Sequence, residues 1–108
     1  MDFDKIVHER IDSILSTLTQ KAKEYAKGGD RFHNFNIAAR MLETTPEKAL
    51  YGMMLKHMVS VLDLVNAVPD TEITEAIINE KIGDNINYLI LLEGLLKERV
   101  YNQWKQQI

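Results

Sequence analysis

"KIGDNINYLILL", residues 81–92, decides the fold. Ile82, Ile86, Leu89, Ile90, Leu91 and Leu92 make it apolar nearly all round, the pattern of a helix enclosed by its neighbours. Asp84, Asn85 and Asn87 break that pattern, because burying an unpaired carboxylate is costly. Either these groups face solvent or something is arranged to meet them. Gly83, roughly 1 kcal/mol worse than Ala inside a helix, permits close approach by another helix or a ligand. Gly52 invites the same reading on the neighbouring helix.

From this stretch helical spacing extends both ways. The helix starts between Thr71 and Thr74, after the break at Pro69, and reaches about Trp104. A helix over 74–105 is ~48 Å long at ~1.5 Å per residue, whereas a domain of this size has a radius of gyration near ~13 Å. It therefore overshoots its own domain, and Tyr101 and Trp104 need another surface. The expectation is a homo-oligomer, most simply an antiparallel dimer, with about residues 99–108 in its packing.

Upstream, "TTPE" (44–47) announces a helix, either as a capping box from Thr44 to Glu47 or as a Thr45 cap with Pro46 in the first turn. Leu50, Met53, Met54, His57, Met58, Val61, Leu62 and Val65 carry it to about residue 65. "IAARML" (37–42) reads as a shorter helix after the polar segment "DRFHNFN" (30–36). Phe3, Val7, Ile11, Ile14, Leu18, Ala22 and Tyr25 trace an amphipathic helix over 3–27, closed by Gly28 and Gly29. No run alternates with period two, so no sheet is expected. The reading is all-α: one domain over 1–108, an antiparallel bundle of about four helices completed by homo-oligomerisation.

Composition narrows the functional classes. The chain has 108 residues, 45% hydrophobic and 27% charged, which suits one globular domain and argues against disorder. A net charge of −3 offers no basic footprint for a nucleic-acid polymer, though a small phosphorylated ligand needs only a few local cations. Without cysteine there is neither a disulfide framework nor a thiolate metal site. "MDFDKIVHER" (1–10) lacks the apolar core of a signal peptide, and the apolar run at Leu89–Leu92 stops at Glu93. The expectation is a cytoplasmic chain without a membrane segment.

Three polar groupings are candidates for chemistry. Glu80, Asp84 and Asn87 share one helical face, bordered by Tyr88. Lys56, Ser60 and Asp63 repeat the spacing on the preceding helix, with His57 beside Lys56. Between residues 21 and 40, Lys21, Glu24, Tyr25, Arg31, Phe32, Asn34 and Arg40 combine cations, amides and rings. Cations hold phosphate, rings stack on bases and amides pair with base edges. Each grouping also has a plain structural reading: solvated helix faces, and a polar connection whose Phe32 and Phe35 plug the core. His8, His33 and His57 lack the spacing of a helical di-iron or zinc site.

"KIGDNINYLILLEGLL" (81–96) resembles the last core helix of the MazG-like, all-α nucleoside triphosphate pyrophosphatases. Their E/K-x-x-D pattern, matched by Lys81 and Asp84, points a carboxylate at Mg²⁺. More broadly, "KEYAKGGDRFHNF" (23–35), "PEKALYGMMLKHMVSVLDLV" (46–65) and "EKIGDNINYL" (80–89) resemble small phage proteins carrying a nucleotide-modification-associated domain. That likeness covers about residues 21–98. The pyrophosphatases also carry an E-x-x-E pair on the preceding helix, where this chain has "LKHMVSVLD" (55–63), with Lys56 and His57 and no acidic pair.

Replacing carboxylates by cations suits direct contact with phosphate, without a bridging metal. The favoured expectation is a phage-encoded protein that captures a nucleotide, such as a cyclic immune signal, without hydrolysis and without a required cofactor. Lys21, Arg31, Lys56 and His57 would meet phosphate. Tyr25 or Phe32 would stack on a base, and Asn34, Asp84 and Asn87 would read polar edges. The alternative is a pyrophosphatase in which Glu80 and Asp84 hold Mg²⁺ and activate water. A third reading is a helical oligomer that serves only protein interaction.

Overall fold

The computed structural model describes residues 1–21 and 30–106. Among them the chain is built from four α-helices, and no strand occurs. Helix α1 spans Phe3–Leu15 and continues as a π-helical stretch over Ser16–Lys21. Helices α2 (His33–Leu42), α3 (Pro46–Ala67) and α4 (Glu75–Gln106) follow. The expected stop at Gly28 and Gly29 lies outside the described residues. No described helix is long and apolar enough to cross a membrane.

Each start has a local cause. The Asp2 carboxylate accepts from the Asp4 and Lys5 amides at 3.0 and 3.4 Å. The Asp30 carboxylate accepts from Phe32 N–H at 2.9 Å, which turns the chain into α2 four residues earlier than "IAARML" suggests. Thr45, rather than Thr44, caps α3: its Oγ1 accepts from Lys48 N–H at 3.2 Å, and Pro46 occupies the first turn. Thr74 Oγ1 accepts from Ile77 N–H at 3.2 Å and opens α4. Helix α2 closes on Glu43, a non-glycine residue in the left-handed conformation with φ 53°.

The α3–α4 pair is an antiparallel hairpin, tied near its open end by Arg99 Nε donating to Glu47 at 2.7 and 2.8 Å. Phe35 of α2, Leu50 of α3 and Leu95 of α4 form the core, flanked by Phe32, Met53, Tyr88, Leu91 and Leu92. Leu50 is wholly buried. At 32 residues α4 spans ~48 Å of a molecule 54 Å long, and the radius of gyration, 16.6 Å, exceeds the compact value of ~13 Å. The amphipathic stripe of the first helix departs from expectation among the described residues: Phe3, Val7 and Ile11 remain exposed and Ile14 and Leu18 are half-buried, while Ala22 and Tyr25 lie outside the described residues.

The helix glycines divide sharply. A Cβ built on Gly83 would lie 2.6 Å from Arg10 Nη1, and one on Gly94 would lie 2.9 Å from Phe32 Cζ. The first glycine lets α1 reach α4, and the second seats an aromatic ring. Gly52 is exposed with nothing within 4 Å, so it marks no close approach, contrary to the sequence reading.

Two substitutions test this packing by chemical denaturation. Leu50→Ala should cost about 2–5 kcal/mol, because both transfer energy and a cavity are at stake. Gly52→Ala should instead raise stability by up to about 1 kcal/mol, because only helix propensity changes there.

Candidate functional site

Midway along the hairpin the two polar faces meet. His57 Nδ1 of α3 lies 3.4 Å from Asp84 Oδ2 of α4, at ion-pair distance. One turn further along α4, the Tyr88 ring tilts against the imidazole, with centroids 4.9 Å apart. Phe35 of α2 packs edge-on against the other side of Tyr88 at 6.4 Å. The imidazole side chain is 21% exposed and the Asp84 side chain 41%, so the pair is half-sunk but open to solvent.

Asn85 holds this arrangement from beneath. Its Nδ2 donates to the His57 carbonyl at 2.9 Å and to the Lys81 carbonyl, one turn back on its own helix, at 2.8 Å. One side-chain amide thus clamps α3 to α4 at the residue that carries the imidazole. Asn87 Oδ1 is buried and has no hydrogen-bond partner among the described residues. An orphan buried acceptor costs ~1–3 kcal/mol, so the fold holds this oxygen at a penalty.

Burial pushes the Tyr88 hydroxyl above the usual tyrosine range, and the nearby Asp84 carboxylate adds to the rise. Tyr88 therefore stays neutral at physiological pH, an aromatic wall with a polar tip.

The sequence candidates distribute unevenly around this cluster. His57 and Asp84 are brought together on the hairpin seam, and Asn87 is half-buried on α4. Lys56 is exposed on the next position around α3, and Glu80 is exposed one turn before Asp84. Arg31 and Asn34 are exposed at the start of α2, and neither hydrogen-bonds to the cluster. Phe32 is half-buried against Gly94 and the core, the placement of its structural reading. Lys21 ends the π-helical stretch with its side chain undescribed, and Tyr25 and Glu24 lie outside the described residues. Asn85 and Tyr88 join the cluster although the sequence reading assigned them no role.

The resemblance implies a magnesium site on Glu80 and Asp84. Among the described residues no three His, Asp or Glu side chains converge. The group facing Asp84 is the His57 imidazole.

Alkaline titration checks the Tyr88 environment. The fold favours the neutral phenol, so its stabilising contribution is intact below pH about 10 and lost as pH rises through the higher folded value. The phenolate absorbance that Tyr88→Phe removes should appear above the ordinary tyrosine range, and the variant should lose less stability over that interval. No protein-family model matches the chain, and neither a curated protein nor a solved structure does.

Proposed function

We propose that this chain is a nucleotide-binding protein that captures its ligand without hydrolysing it. The observation that carries the reading is the engagement of Asp84: an imidazole stands 3.4 Å from its carboxylate, where a hydrolase would need metal and further carboxylates. Asp84 then serves as a hydrogen-bond acceptor and His57 as an anion partner or ring surface. Tyr88 backs the imidazole, and Asn87, on the helical face of Asp84, would read a polar edge. Lys56 and Arg31, both exposed on flexible side chains, would supply positive charge for phosphate. A phage setting, with a cyclic immune-signalling nucleotide as ligand, belongs to the same proposal and rests on the resemblance alone.

The test is retention against turnover. Purified protein is incubated with cyclic and linear nucleotides, with and without Mg²⁺, and then denatured. Intact nucleotide should be recovered from the protein, with affinity reduced at least tenfold by Asp84→Ala and by His57→Ala. Magnesium-dependent pyrophosphate release that Asp84→Ala abolishes would overturn the proposal in favour of a hydrolase. Neither retention nor turnover across the panel would leave protein interaction as the remaining reading.

A further inference from the structure

The chain leaves more surface exposed than a compact monomer of its mass. The chain exposes 8432 Å², whereas a folded monomer of its mass is expected to expose about 6,200 Å². The excess, roughly 2,200 Å², lies within the roughly 1,000–2,500 Å² that each partner buries in an obligate homodimer.

Much of the apolar part forms one face. Along α3, Tyr51, Leu55, Val59, Leu62 and Val65 recur at steps of three and four, and each is 45–60% exposed. They lie on a different flank of α3 from Ala49, Leu50 and Met54, the residues buried in the protomer. Helix α3 is therefore apolar on two faces, and the protomer covers one. On α4, Leu89, Leu96 and Val100 remain 49–63% exposed along a groove of about 370 Å³, edged by Glu93 and Lys97. This edge of α4 is turned away from Gly94, where Phe32 sits, and so away from α2.

We infer that a second copy of this chain packs on the α3–α4 hairpin face, forming a two-fold dimer with a four-helix centre. Three features favour a like partner. The patch is flat and helical and bears both charge signs, so it is complementary to itself, as an isologous contact requires. A two-fold axis crossing α4 between Glu93 and Lys97 would set each residue opposite its counterpart of unlike charge. The end of α4 then gains cover for Val100 and Trp104, now 63% and 59% exposed. The His57–Asp84 cluster lies in the α3–α4 seam rather than on this face, so the inference stands whether or not the ligand reading holds.

Light scattering on the full chain at micromolar concentration should give twice the chain mass. The double variant Leu62→Glu and Leu96→Glu should give a folded monomer by circular dichroism. Because the chain has no cysteine, single-cysteine variants locate the face even if the charged variant fails to fold. Leu96→Cys should form a disulfide dimer under mild oxidation, whereas Val7→Cys on the exposed stripe of α1 should not. A monomeric wild-type chain, a dimer that survives the double variant, or cross-linking through Val7→Cys but not Leu96→Cys would overturn the assignment.

Discussion

Two hydrogen bonds from the Asn85 amide set the register on which the rest of the molecule depends. By donating to the His57 carbonyl, Asn85 fixes where α3 lies along α4. Apolar contacts alone define such a register loosely, since leucine and methionine pack about equally well over several offsets. A displaced register would carry the His57 imidazole away from Asp84 and Tyr88, and Glu47 away from Arg99. The polar clamp thus converts a generic helical hairpin into one with a defined cluster at its middle. It belongs to the best-attested role of a polar group in a helix seam, the selection of one alignment over its neighbours.

This also explains what the sequence could and could not disclose. Helix limits are local matters of caps and spacing, so the start at Thr45–Pro46 and the long run of α4 were legible. The two polar stripes were legible too, each on its own helix. Their mutual rotation was not: the stripe drawn through Lys56 misses the seam by one residue, or ~100° of helix, and it is His57 that meets Asp84. The partner of Asn85 is a backbone carbonyl, which every residue offers, so no pattern of residue types announces it. Phe32 carried both a structural and a binding reading, and the approach to Gly94, which no residue pattern announces, supplies the structural one.

The apolar stripe of α1 shows the opposite limit. Its periodicity reads as a buried face, yet most of it stays exposed in the single chain. Periodicity reports that a helix has something to hide, and not from whom. The same holds for α3, whose circumference is apolar well beyond what one neighbour can cover. Among the described residues Leu50 is the one wholly buried side chain, a small core for this length, and the elongated shape follows directly from α4 being longer than the helices beside it.

Gly83 and Gly94 stand eleven residues apart, close to three full turns, and so share one edge of α4. That edge acts as a rail with two notches, one admitting the Arg10 guanidinium and the other the Phe32 ring. The notches differ in how they would respond to sequence drift. A guanidinium at the tip of a flexible chain can swing aside for a new methyl group, whereas a ring wedged into the core cannot. Variation among descendants of this chain should therefore accumulate first where α1 meets α4, loosening its attachment, while the α2 junction stays closed to anything larger than hydrogen.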